Sequence, residues 1–128
     1  MKLLLDTRAL FWWLKNDPKL SRAARSAIGD DASKVFVSAV SALEITSKVR
    51  IGKWPEAAAI AHSIETVVLG EGFALLSITV EHAKFAGFID SLHRDPFDRL
   101  LASQAIVDEL VVVTGDAMIA ALGAETLW

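Results

Sequence analysis

The chain contains no cysteine. That excludes disulfides, thiolate zinc sites and cysteine nucleophiles, and makes a reducing cytoplasm the default compartment. Long apolar runs are missing as well. The longest, Ala9-Leu10-Phe11-Trp12-Trp13-Leu14, falls far short of the roughly 18 residues that span a bilayer. The opening stretch Met1-Lys2-Leu3-Leu4-Leu5 meets an acid at Asp6, too soon for the apolar core of a signal peptide. Positive charge is scarce late in the chain, where no lysine follows Lys84. There is no internal repeat, low-complexity tract or linker.

What is present is a strongly apolar chain of 128 residues, 53% hydrophobic with a mean hydropathy of +0.42. This length suits one domain with a substantial core. The apolar excess suggests a sheet covered on both faces, with an oligomer or partner surface besides. The net charge is −3 and unevenly spread: ten of the 13 basic residues precede position 65, giving a basic first half and an acidic second half. A basic flank beside an acidic pocket suits a polyanionic substrate, and solvated basic helix faces account for the same pattern.

Short apolar runs alternate with helical patterns. Strands are predicted at Lys2–Leu5, Val35–Val37, Ala74–Leu76 and Leu110–Val113, with a short final one at Glu125–Leu127. Helices are predicted at Ala9–Leu14, from an N-cap at Ser21 to Gly29, at Ser41–Arg50, from Pro55 to Gly70, at Val80–Phe88, from Asp95-Pro96 through Val107, and at Asp116–Leu122. Alternation of this kind implies a parallel sheet of four to five strands between helical layers, a three-layer α/β/α sandwich.

Four acids fall at equivalent places in that pattern. Asp6 ends the first strand and Asp116 lies just past the fourth. Glu44 and Asp98 stand in the first turns of helices that begin at the same edge of the sheet. Open parallel sheets bind ligands outside the carboxyl ends of their strands, so all four are expected on one side. Convergent carboxylates without thiolates suit a hard cation such as Mg²⁺ or Mn²⁺, and ions held that way serve phosphodiester cleavage. Helix capping offers another account of three of them. Ser41 to Glu44 fits a capping box, Asp95-Pro96-Phe97-Asp98 fits an N-cap with proline at the first helical position, and Asp116 fits a plain N-cap. Asp6 resists it, because an acid closing a buried strand needs a partner or a metal.

Four segments carry a resemblance to a known family. They are Leu3-Leu4-Leu5-Asp6-Thr7 with Ala9-Leu10-Phe11-Trp12, Val37-Ser38 through Ser41-Ala42-Leu43-Glu44-Ile45, His93-Arg94-Asp95-Pro96-Phe97-Asp98-Arg99-Leu100-Leu101-Ala102-Ser103-Gln104-Ala105, and Val111-Val112-Val113-Thr114-Gly115-Asp116. In order and content the chain resembles the PIN-domain family and, within it, the VapC-type toxins of prokaryotic toxin–antitoxin pairs. The resemblance implies a Mg²⁺- or Mn²⁺-dependent endoribonuclease whose acidic quartet is Asp6, Glu44, Asp98 and Asp116, leaving 5′-phosphate and 3′-hydroxyl ends. Asp98, not Asp95, matches the third acid, because Leu100-Leu101-Ala102 follows it closely. The family also implies an antitoxin partner, with Trp12, Trp13, Trp54, Lys48, Arg50 and Lys53 as candidate contact residues, and a homodimer or a dimer of toxin–antitoxin pairs. Gly115 departs from the pattern, since many relatives carry a basic or polar residue there.

Smaller candidates surround the quartet. Thr7, Thr114 and Ser38 fit roles as hydroxyls that orient carboxylates, and equally as turn or strand-end residues. His93 and Arg94 are expected to contact substrate phosphate or a neighbouring acid, and Arg99 to pair with one. His62 and His82 are expected at the surface. Two other fold classes place acids at the same sheet edge. A phospho-receiver domain needs an acid after the third strand and a late lysine, both absent. A haloacid-dehalogenase-type phosphatase needs Asp-x-Asp where the chain has Asp6-Thr7-Arg8. The remaining alternatives are a PIN nuclease of RNA processing and a non-catalytic PIN-like binding module.

Overall fold

Leu3, Leu4 and Leu5 are all fully buried, although successive residues of a strand face opposite ways. Their strand must therefore be covered on both faces, and the architecture follows from that. In a computed structural model describing all residues, 1–128, β1 (Lys2–Leu5), β2 (Lys34–Ser38), β3 (Ala74–Leu76), β4 (Val111–Val113) and β5 (Thr126–Leu127) form one sheet. Its order is β3-β2-β1-β4-β5 and every pairing is parallel. The register aligns Leu3 with Val35 and Val111, and Leu5 with Val37 and Val113. These residues feed one core, while Leu4 and Val112 face the other.

The helices divide accordingly. Between β1 and β3 run α1 (Thr7–Leu14), α2 (Arg22–Gly29), α3 (Ala39–Arg50), a 3₁₀ turn (Pro55–Ala57), α4 (Ala58–Ala61) and α5 (Ile64–Gly70). Their apolar residues, among them Leu10, Ile28, Ile45, Ile64 and Val68, pack on the first face. After β3 come α6 (Val80–Phe88), α7 (Pro96–Val107) and α8 (Ala117–Ala121). Leu101, Ala105 and Ile119 cover the second face. Right-handed crossovers require this change of face: the chain builds outward from β1 to β3, then returns to add β4 on the other side of β1. Strand order reverses between β1 and β4, which opens a crevice at their carboxyl ends. The expected α/β/α sandwich with a parallel sheet is what forms.

Helix starts differ in instructive ways. Helix α1 begins at Thr7, not Ala9, because the Asp6 carboxylate accepts the Ala9 N–H at 2.6 Å. Helix α3 begins at Ala39 because Ser38 caps it, accepting from Val40 N–H at 2.9 Å. Ser41 is thus inside the helix and buried, and its capping box with Glu44 does not form. The single helix expected from Pro55 is broken into three pieces. Ser63 has non-helical dihedrals, and its hydroxyl donates to the Ala59 carbonyl at 2.9 Å, a local bond that competes with the helical ladder.

Ser21 caps α2 as predicted, accepting from Ala24 N–H at 3.0 Å. Ser21→Ala is expected to cost about 1 kcal/mol, read as a lower urea midpoint with unchanged slope. His82, expected at the surface, is instead 2% exposed. Its Nδ1 accepts the Thr79 N–H at 3.0 Å, so Nε2 carries the proton and donates to the Asp108 carboxylate, also at 3.0 Å. A neutral ring satisfies both partners. No helix is long and apolar enough to cross a membrane.

Candidate active site

The crevice between the carboxyl ends of β1 and β4 holds all four acids. Asp6, Glu44, Asp98 and Asp116 line one cleft of about 260 Å³, joined by Thr7, Arg8, Lys48 and Asp95. Asp6 and Asp116 occupy corresponding positions, each one or a few residues past a strand and each capping the helix that follows. Asp116 accepts the Met118 N–H at 2.9 Å. Glu44 reaches the cleft from the second turn of α3, and Asp98 from the first turn of α7. Asp95 caps α7 through the N–H groups of Phe97 and Asp98, as the N-cap reading of Asp95-Pro96 expected.

Each acid has an internal partner. The Thr7 hydroxyl, buried, donates to Glu44 Oε1 at 2.6 Å; since it carries a single proton, Ser41, 3.0 Å away, acts as donor to Thr7. Lys48 Nζ, expected on a partner surface, holds Glu44 Oε2 at 2.6 Å as an i,i+4 pair on α3. Asp98 Oδ2 meets His93 Nε2 at 2.8 Å. Thr114 is buried and accepts the Asp116 N–H at 3.0 Å. Ser38 donates to Gln104 Oε1 at 2.5 Å and so ties the end of β2 to α7. No three His, Asp or Glu side chains are gathered tightly enough to form a ligand set on their own.

Mutual repulsion and burial act on this arrangement. Burial raises the Asp6 carboxyl above the ordinary carboxylate range, the Thr114 hydroxyl and the Ala9 N–H pull it down, and the charges of Glu44 and Asp116 push it up again. Burial likewise raises Asp98; the bond from His93 opposes the shift, and Asp95 and Asp116 add to it. Burial and neighbouring negative charge thus both disfavour the charged form of Asp6 and Asp98. A hard divalent cation relieves such strain, and an all-oxygen donor set fits Mg²⁺ or Mn²⁺.

A carboxyl raised in the folded state binds more protons there than in the unfolded chain, so its contribution to stability falls as pH rises above the ordinary carboxyl pKa. Without divalent cations, Asp6→Asn is expected to melt above the wild type at pH 7. That advantage should shrink as pH falls into the ordinary carboxyl range and Asp6 takes up its proton. A pH-independent difference in thermal melts would contradict the assignment of strain to Asp6.

The loop between α6 and α7 presents His93, and Arg99 holds that loop. Its guanidinium donates to the carbonyls of Ala86 (3.0 Å), Ile89 (2.5 Å), Ser91 (3.2 Å) and His93 (2.8 Å), with a longer contact to Gly87. Sequence reasoning expected an acid as its partner. Backbone carbonyls leave no residue-type signal, which is why this clamp was not foreseen. Gln104, fully buried, was also missed; it donates to the Ser77 carbonyl while accepting from Ser38. A further correction concerns Trp54, expected on a partner surface but only 4% exposed. It packs against Phe11, with Arg8 stacked over it at 4.5 Å. Trp13 is half-buried, its indole N–H donating to Glu71 at 2.7 Å.

Comparison with known proteins bears on this geometry. The sequence has no significant match among curated proteins. Three solved structures superpose along nearly the full length. VapBC2 from Rickettsia felis, bound to a DNA fragment from its promoter, gives a TM-score of 0.73 at 15% identity, covering 99% of this chain and 98% of that one. VapBC-1 from nontypeable Haemophilus influenzae gives 0.66 at 16% identity, covering 99% and 97%. FitAcB from Neisseria gonorrhoeae gives 0.65 at 19%, covering 98% and 96%. At such identities these likenesses show the fold. The family model of the PIN domain matches residues 3–125, which takes in all four acids of the cleft and the sheet that positions them. The chain belongs to the PIN-domain family.

Proposed function

We propose that the protein is a divalent-metal-dependent endoribonuclease, the toxin of a toxin–antitoxin pair, acting in the cytoplasm as a single catalytic domain. One observation carries the reading: four carboxylates from four separate elements line one cleft at the point where strand order reverses. Asp6, Glu44 and Asp98 would hold a Mg²⁺ or Mn²⁺ ion, with Asp116 completing that site or helping to hold a second. When bound, the cation supplies a Lewis acid for the scissile phosphate and an acidified water. The chain's own groups do the rest. Thr7 fixes the Glu44 carboxylate and His93 the Asp98 carboxylate, as hydrogen bonds behind a metal site orient its ligands. Arg8 and Lys48 line the same cleft and offset its negative charge toward a polyanion. Hydrolysis adds water across the P–O3′ bond, leaving 5′-phosphate and 3′-hydroxyl ends.

The structural neighbours VapBC2, VapBC-1 and FitAcB support the toxin–antitoxin setting. So do bare apolar side chains along α6 and the loop after it, where Val80, Phe88 and Leu92 are 77%, 86% and 98% exposed. An antitoxin or a second copy of the chain would cover them. The test is incubation of purified protein with RNA, with Mg²⁺, Mn²⁺ or EDTA, and mapping of the cut ends. Metal-dependent internal cleavage is expected. In cells, expression should arrest growth, and the product of an adjacent small gene should relieve it. Absence of cleavage with either ion would overturn the catalytic reading.

A further inference from the structure

Beside the carboxylate cleft lies a second hollow, of about 390 Å³. It shares Asp6, Arg8 and Asp116 with the first and adds Trp12, Lys19, Gly115 and Trp128. Its wall is aromatic. The rings of Trp12 and Trp128 meet at 5.8 Å, tilted by 54°. Trp12 is half-buried and packs against the main core, while Trp128 is 40% exposed. One indole is anchored and the other offers a surface.

Gly115 makes room for that surface. A Cβ on it would lie 3.0–3.3 Å from three atoms of the Trp128 ring. Gly115 is not among the residues with positive φ, so the backbone does not demand glycine there. What demands it is the indole lying against the chain just before Asp116. Two cations complete the hollow. Arg8 and Lys19 are exposed, and neither takes part in the ion pairs of the molecule, which involve Lys48, His82 and His93.

We propose that this hollow is a base-stacking subsite for the nucleotide next to the scissile phosphate of single-stranded RNA, a proposal that rests on the nuclease reading above. Trp128, backed by Trp12, stacks on the base; Arg8 and Lys19 meet the flanking phosphates. An aromatic face beside a basic rim is how proteins hold unpaired strands, because every base has a π-face. Duplex bases are already stacked, so the subsite selects unpaired RNA. The two cations also offset Asp6 and Asp116, whose charges would otherwise repel the strand.

The test uses Asp98→Asn protein, silenced at a residue outside the hollow, and a fluorescent single-stranded RNA that the wild type cleaves at a mapped position. Adding Trp128→Ala is expected to weaken binding about ten- to a hundred-fold, and Trp128→Phe by only about threefold. Gly115→Ala, by displacing the indole, should weaken binding in the same direction. Replacing one nucleotide beside the cleavage position by an abasic unit should weaken binding to the parent and not to the Trp128→Ala protein, the coupling expected of a direct contact. Thermal melts report whether each variant is folded. Unchanged affinity in folded Trp128→Ala, or equal abasic losses in both proteins, would overturn the subsite while leaving the nuclease reading intact. A wild type that neither binds nor cuts RNA overturns both.

Discussion

Asp6→Asn is expected to lower RNA cleavage by about three orders of magnitude or more, in a protein that still folds. Asparagine keeps the size of the side chain and caps helices about as well as aspartate, so the bond to the Ala9 N–H that starts α1 survives. The negative charge at the centre of the cleft is lost. Charge stabilisation of a phosphoryl transition state by a held cation is worth several kcal/mol, and each 1.36 kcal/mol is tenfold in rate. Initial rates on a defined RNA give the measurement. A second readout separates chemistry from folding. Millimolar Mg²⁺ or Mn²⁺ should raise the wild-type melting temperature by mass action and shift Asp6→Asn far less. Wild-type cleavage by the variant would remove Asp6 from the mechanism.

Arg99→Ala is expected to cost about 3 kcal/mol of stability and most of the activity. Hydrogen bonds involving a charged group contribute about 1.5–3 kcal/mol each, and Arg99 makes several to a loop that has little other support. Part of that contribution is returned when the freed carbonyls of residues 86–93 meet water. Released, the loop no longer presents His93 to Asp98. Urea unfolding measures the first effect, and the ring signals of His93 in NMR report the second directly. Arg99→Lys should recover only part of the loss, because an ammonium has three donors and no planar fork to span carbonyls on both sides. A folded Arg99→Ala protein within about 0.5 kcal/mol of wild type, with full activity, would show the clamp to be incidental.

Much of this was legible from residue order. Strand positions followed from short apolar runs, and the parallel sheet from their alternation with helices. The side of the sheet on which Asp6, Glu44, Asp98 and Asp116 lie followed from the alternation of strands and helices in a parallel sheet. Less visible were contacts made by backbone or between distant hydroxyls. The clamp of Arg99 uses carbonyls, which every residue has. Ser38, Ser41 and Ser63 each had several local bonding options, and tertiary contacts decided among them. Ser38 caps α3 because its hydroxyl also serves buried Gln104. His82 looked like a surface residue because its partner, Asp108, is far away in sequence. Trp54 was read as a surface residue because an aromatic ring near lysines fits a surface as readily as a core.

The central strand carries a consequence for how the protein comes into being. β1 leaves the ribosome well before one of its two neighbours, β4, which follows β2 and β3 in the chain. Pairing of such distant segments is slow and closes late. Until Val111–Val113 has emerged and paired, β1 has one open edge and Asp116 is not in place beside Asp6. A nascent chain therefore lacks the complete carboxylate cleft until the segment from Val111 to Asp116 has been made and has paired with β1. Slowing translation between the segments that encode β3 and β4 would prolong that interval without changing the finished protein.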